Sequence, residues 1–280
     1  MMLFLHQLGL ELRKLFGRKR TYIGFGAFLV IELLILVFCQ MPGPQRGLRR
    51  QMEGLGYGAD QYLSGLTMAF QMVSFTVFIL GGLYLALVAG DVVAKEVEEK
   101  TMRMILCRPV SRIRVLAIKY IACVIYTFSL IGFIGGTAIA IGVAWKGTGG
   151  MFAFAPLEGI VAFYSFAEGL NRFLAGLAVL ALMLTTVSTL GFGLSCFDMK
   201  PAAATIITLS YFFVDMIFRQ IPYFQSIKAW FITSHMEWRQ VFLPHIPIPQ
   251  MIEDGAYLMG VNATIVVIAM AVFQQRNFKS

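Results

Sequence analysis

Six stretches of this chain are apolar for the length of a bilayer: roughly Tyr22–Cys39, Leu66–Ala89, Val115–Trp145, Phe173–Phe197, Ala202–Phe218 and Ala256–Phe273. A helix of about 20 residues crosses the hydrocarbon layer. In lipid the backbone must satisfy its own hydrogen bonds, so runs of this kind span as helices. The rest of the composition agrees. Of 280 residues, 58% are hydrophobic and only 14% charged, with 25 Phe. A water-soluble domain has no room to bury that much apolar surface. The expected class is therefore an all-α integral membrane protein with six transmembrane helices. The third run exceeds the need and contains Gly135-Gly136, so a tilt, a kink or an extension beyond the bilayer is expected there.

The net charge of +8 fits membrane topology better than nucleic acid, because no basic stripe carries interleaved aromatics. With the N-terminus inside, fifteen Lys and Arg fall on the cytoplasmic side and eight on the other. The positive-inside rule then places both termini in the cytoplasm. Residues 1–20 read as an interfacial elbow helix, with Leu5, Leu8, Leu12, Leu15 and Phe16 on one face of Leu3–Phe16. LVFC at Leu36–Cys39 has Phe38 where a cleaved leader carries a small residue, which favours a retained span. Cys39, Cys107, Cys123 and Cys196 have no ligand spacing and read as free thiols.

On the opposite side lies an outer loop, 219–255. Its residues Ile227, Trp230, Phe231, Ser234, Trp238, Val241 and Phe242 recur at helical spacing, and PHIPIP (Pro244–Pro249) is expected to end any helix, since proline lacks the donor. A short helix bedded in the outer interface is expected; the alternative is a wall of a substrate exit.

Motif chemistry is sparse. The chain lacks G-x-x-x-x-G-K-[ST], so it has no phosphate-binding loop of its own, and GTGG (Gly147–Gly150) reads as a plain loop. His235, Glu237 and His245 share the outer loop, a weak pattern for a metal. Glu32 lies near the middle of the first span. A carboxylate there is costly unless paired, protonated or facing water. It is either a pathway group or an interhelical hydrogen bond to Thr127, Ser129 or Ser188. Asp215 and Arg219 read as an i,i+4 pair.

One charged block interrupts the apolar chain: KEVEEKTMRMILCRPVSR, Lys95–Arg112. As a helix from Asp91 to Leu106 it has two faces. Val93, Val97, Thr101, Met104 and Ile105 form one, while Lys95, Glu98, Glu99, Met102, Arg103 and Leu106 form the other. Glu96–Lys100 and Glu99–Arg103 are favourable pairs, and Pro109 ends the helix. A solvated connector and a docking helix for a soluble partner both fit.

Glu96-x-Glu98-x-x-Thr101, then Pro109-Val110-Ser111-Arg112, then Lys119, resembles the signature of ABC transporter permeases of the ABC-2 type. The basic elbow Glu11–Arg20, LSCFDMKPAAA (Leu194–Ala204) and the C-terminal FQQRNFKS (Phe273–Ser280) resemble the same layout. The chain departs from the family at Lys100, where Gly is usual.

The resemblance implies one permease domain over 1–280, with a cytoplasmic coupling helix at 91–112. Two such permeases, identical or sister, would form the pathway. Two separate ABC ATPase subunits would bind ATP and Mg, leaving this chain neither enzyme nor cofactor carrier. Glu96, Glu98, Thr101, Met102, Leu106, Pro109 and Arg112 would couple to the ATPase. Glu96 would fix the helix, Met102 and Leu106 would fill an ATPase groove, and Arg112 and Lys119 would anchor the return near lipid phosphates or a helix C-terminus. Export of an amphipathic substrate across a bacterial inner membrane is the implied activity. A secondary transporter using Glu32 is the competing class.

Overall fold

The apolar runs fold as long helices in the computed structural model, which describes residues 2–102, 110–155 and 159–276. In chain order these are α1 (Met2–Phe16), α2 (Lys19–Gln40), α3 (Pro42–Gly54), the single turn α4 (Ala59–Tyr62), α5 (Gly65–Thr76) and α6 (Gly82–Glu98). Then come α7 (Arg112–Lys146), strands β1 (Met151–Ala155) and β2 (Ile160–Tyr164), α8 (Phe166–Ser195), α9 (Pro201–Gln220) and α10 (Ile248–Gln275).

Among the described residues five helices, α2, α7, α8, α9 and α10, are long and apolar enough to cross a membrane. The run expected at Leu66–Ala89 stays helical from Gly65 to Glu98, but a π-turn at Val77–Gly81 divides it into α5 and α6. Such a turn inserts one residue into the ladder and rotates one half against the other. Helix α8 is the central one. Of its most apolar window 61% is buried, against 17% for α9 and for α10. It packs on α6, α7, α9 and α10, while α5 lies along α7. The outward faces of α2, α9 and α10 carry large apolar side chains such as Leu34, Phe213 and Met259, as expected of helices solvated by lipid.

Helix α7 runs through Gly135-Gly136 as continuous helix, so of the outcomes expected there the extension is the one met. Its 35 residues give a rod of about 52 Å, longer than the bilayer needs. The main correction to the all-α expectation is an antiparallel hairpin, β1 with β2, in register from Met151↔Tyr164 to Ala155↔Ile160. Both strands are short and contain Phe, β2 adds the β-branched Ile160 and Val161, and they are set off by GTGG and by Gly159, whose φ is +68°. Those are strand and turn signals. The hairpin is tied down from two sides. Phe152 N–H donates to Thr67 Oγ1 at 2.8 Å, and the Tyr164 hydroxyl donates to the Phe242 carbonyl at 2.6 Å.

The segment between α9 and α10 also differs from expectation. In place of one interfacial helix it forms three 3-10 turns, Pro222–Trp230, Ile232–His235 and Trp238–Phe242. The two tryptophans part company: Trp230 is 78% exposed, whereas Trp238 is buried against Phe70 and Phe242. The last part of PHIPIP does not end a helix but starts α10, where proline's missing donor is harmless. Asp215 and Arg219 do not pair with each other. The Asp215 carboxylate accepts from Thr233 N–H at 2.8 Å. Arg219 donates to the Thr233 carbonyl at 2.7 Å and pairs with Glu237.

Candidate coupling site

Four charged side chains from three helices meet where α1, the end of α6 and the start of α7 converge. Lys119 Nζ on α7 lies 2.6 Å from Glu11 Oε1 on α1 and 2.7 Å from Glu96 Oε1 on α6. Lys14, one turn after Glu11, closes onto the same Glu96 oxygen. Signs alternate in the order Lys14, Glu96, Lys119, Glu11, so the formal charges cancel. Lys119 and Glu96 are among the most buried polar residues, at 2% and 1% exposure. Burial works to raise the pKa of Glu96. The charge and hydrogen bonds of Lys119 and Lys14 together outweigh it and hold the carboxyl below its ordinary value. A second pair, Arg20 with Asp91, joins the start of α2 to α6. There burial wins over the attraction of Arg20, and the Asp91 carboxyl is pushed up.

The helix expected over Asp91–Leu106 stops at Glu98. Glu99 caps it and Lys100 turns the chain with φ +60°. Lys100 N–H donates to the Val97 carbonyl at 3.0 Å, and the Thr101 hydroxyl donates to the Glu96 carbonyl at 3.2 Å. This is a helix stop of the Schellman kind, in which the left-handed position normally belongs to Gly. Lys100, the one departure from the family pattern, sits at that position. Thr101 therefore acts locally, its hydroxyl satisfying a carbonyl that the turn leaves open. Replacing Lys100 by Gly removes a left-handed side-chain penalty of about 1 kcal/mol and should raise the thermal midpoint in detergent. Lys100→Ile should lower it.

The stop rearranges the expected pairs. Glu96 goes to the buried cluster and not to Lys100, while Lys95 and Glu99 approach to 3.8 Å. Glu98, Glu99 and Lys100 form an exposed tip. Met102, expected on an ATPase-facing surface, is instead 1% exposed and part of the core, because the turn at Lys100 folds it back. Arg103, Leu106 and Pro109 lie outside the described residues. The return begins with Ser111, whose hydroxyl accepts from Arg114 N–H and caps α7.

Arg112 donates to the carbonyls of Gln274 and Arg276 at the end of α10, both at 2.9 Å. That meets the expectation of a helix C-terminus. Arg276 in turn donates to the Phe197 carbonyl at 2.9 Å and pairs with Asp198 in the α8–α9 turn. Lys119 departs from expectation: it is inside the protein, bound to two carboxylates, and not at lipid phosphates. Glu11 and Lys14 were not legible as site residues. The one available signal was an acidic residue opening the basic run ELRKLFGRKR.

Glu32 stands apart from this cluster. It is fully buried in α2, and neither carboxylate oxygen has a hydrogen-bond partner among the described residues. Thr137 of α7 lies beside it. The expected partners Thr127 and Ser188 bond each other at 2.8 Å instead. Among the described residues no cluster of His, Cys, Asp and Glu could hold a metal. Within the outer loop, His235 faces Asp254 and Glu237 faces Arg219. Cys39, Cys123 and Cys196 are buried free thiols.

Residues 10–274 match the family model of ABC-2 family transporter proteins. The chain belongs to that family. It is a multi-pass membrane protein of a transporter family. It is also 24% identical over 202 residues to "Uncharacterized protein YhcI" of Bacillus subtilis (strain 168), across 70% of this chain. That match spans 60% of the relative's length.

Proposed function

We propose that this permease is the membrane half of an ATP-driven exporter. Six spans, the second made of α5 and the part of α6 up to Ala89, carry both termini in the cytoplasm of a bacterial inner membrane. Two permeases form the pathway, and two separate ATPase subunits dock on the segment 95–112. The observation that carries this reading is the buried cluster of Glu96, Lys119, Lys14 and Glu11. It fastens an exposed charged tip to the elbow helix and to a long membrane rod. A push on the tip is thereby delivered to three helices and not absorbed by a loose loop. Glu98 stands on the tip, Thr101 and Arg112 hold its two ends, and Leu106 is the apolar anchor. Glu32, fully buried in α2 beside Thr137 of α7, is the group assigned to the pathway.

The test is capture of the ATPase by tagged permease, followed by ATP hydrolysis in the complex. A buried apolar anchor typically outweighs an exposed ion pair, which is worth about 0–1 kcal/mol. Leu106→Asp should abolish capture and Glu99→Ala should leave most of it, with both variants still membrane-inserted. Unchanged capture and hydrolysis in Leu106→Asp would remove the docking role from this segment.

A further inference from the structure

At the far end of the molecule from the charged tip, one histidine is held between two acceptors. The Nδ1 of His235 lies 2.6 Å from Asp254 Oδ1 on α10, and its Nε2 lies 3.0 Å from the carbonyl oxygen of Ala229. The ring stacks on Tyr257 of α10 at 4.1 Å between centroids, and the Tyr257 hydroxyl donates to the Trp230 carbonyl at 3.1 Å. His235 and Asp254 are only 17% and 9% exposed, so the Nδ1–Asp254 contact is shielded, whereas the contact to the Ala229 carbonyl is open to solvent. These bonds fasten the turn Pro222–Trp230 to α10. Among the described residues no side chain of that turn is buried.

A neutral imidazole has one N–H and one lone pair. Beside an ionised Asp254 it can satisfy either the carboxylate or the Ala229 carbonyl, and the other contact becomes lone pair against lone pair. For both contacts to be hydrogen bonds at once, the pair must carry one more proton, either on the imidazole or on the carboxyl. Other charged groups on the neighbouring elements are engaged elsewhere or point outward. Arg219 of α9 pairs with Glu237, and Asp215 of α9 accepts from Thr233 N–H. Lys228 on the turn and Glu253 on α10 are exposed, and Tyr211 of α9 lies near Tyr257 and Asp215.

We propose that His235 and Asp254 form a proton-binding latch. The turn Pro222–Trp230 is docked on α10 while the pair holds its extra proton, and it is released when that proton leaves. The sign follows from linkage: closure takes up a proton, so the closed population falls as pH rises, by at most about tenfold per pH unit for one proton. If the topology proposed above holds, the latch responds to acidity outside the cell; the latch itself does not depend on that topology.

The experiment is pulsed electron–electron distance measurement in detergent, between spin labels at Lys228→Cys and Glu253→Cys, with the four native cysteines replaced. Both sites are exposed, so the labels leave the latch intact. In the otherwise native chain the short-distance population should shrink several-fold between about pH 5 and pH 8, the range in which histidine titrates. Asp254→Asn should hold the latch closed throughout. Its amide donates to Nδ1 and frees the single imidazole proton for Ala229. His235→Gln should abolish the pH dependence. Hydrogen exchange of the amides of residues 222–235, with native cysteines and corrected for intrinsic rates, should show the same three patterns. A distance distribution independent of pH in the native pair, or an Asp254→Asn variant that still opens as pH rises, overturns the proposal.

Discussion

Lys119→Met should lower the unfolding free energy by about 3–5 kcal/mol, the usual cost of removing one partner from a buried ion pair. The reason is what the substitution leaves behind. Glu96 keeps only Lys14, whose side chain is 42% exposed, and Glu11 loses its partner. Leaving Glu11 unpaired and Glu96 with a single half-exposed partner is worse than never having charged the site. Glu96→Gln should cost less, since Lys119 retains Glu11 and the amide oxygen still accepts. In the Glu96→Gln background, Lys119→Met should therefore cost less than in the native chain, and the difference measures the coupling.

Acidification gives an independent check on the same cluster. The folded chain holds Glu96 below its ordinary value of 4.5. Its contribution is thus present above that value and disappears as pH falls through the lower, folded one. Native protein should lose stability over that acid window, and Glu96→Gln should lose less of it. Thermal unfolding in detergent is the measurement, with Lys95→Met as the control because its pair with Glu99 is long and exposed. If Lys119→Met shifts the midpoint no more than Lys95→Met does, the cluster is not what fastens the tip.

What the chain disclosed beforehand follows from how local each signal is. Apolar runs longer than a bilayer is thick announce themselves. The stop at Lys100 was half visible. The departure from glycine was apparent, but a helical pattern through Asp91–Leu106 hid the turn, because the charges pair equally well on paper at i,i+4. The cluster itself joins residues 82 and 108 positions apart. Its members were legible as basic and acidic residues near the membrane but not as neighbours. Nothing in the local pattern of Lys119 says whether its ammonium turns outward to phosphates or inward to carboxylates. Only the packing of α1 onto α7 decides that. The hairpin shows the opposite failure. Its strand and turn signals were local and present, yet a protein dominated by helical runs draws attention away from five-residue strands.

Glycines supply the second large expected effect, at the other end of the same rod. A Cβ added at Gly142 would stand 2.3 Å from the Gly65 carbonyl oxygen, and one at Gly65 would stand 2.6 Å from backbone atoms of Gly142 and Val143. Backbone cannot rotate aside as a side chain can, so α5 and α7 must separate. Gly65 N–H also bonds the Gly147 carbonyl at 3.1 Å. Close backbone approach through small residues is the usual means by which spans pack when lipid offers no hydrophobic drive. Gly142→Ala should cost about 1–3 kcal/mol or more as overpacking, and Gly142→Leu should prevent stable folding. The controls are Gly132 and Gly136 on the same helix, where an added Cβ meets nothing within 4 Å. Alanine at either should be neutral or gain about 0.5–1 kcal/mol from lost glycine freedom. Midpoints in detergent for the three alanine variants decide the matter. If Gly142→Ala behaves like Gly136→Ala, the contact is loose and α7 is not held there. If the costs differ as expected, α7 is held at Lys119 and again at Gly142, 23 residues and about 34 Å along. A rod held at both ends carries a displacement of the charged tip to the hairpin end without bending. That property is what the proposed coupling requires, and the continuity of α7 through Gly135-Gly136 is consistent with it.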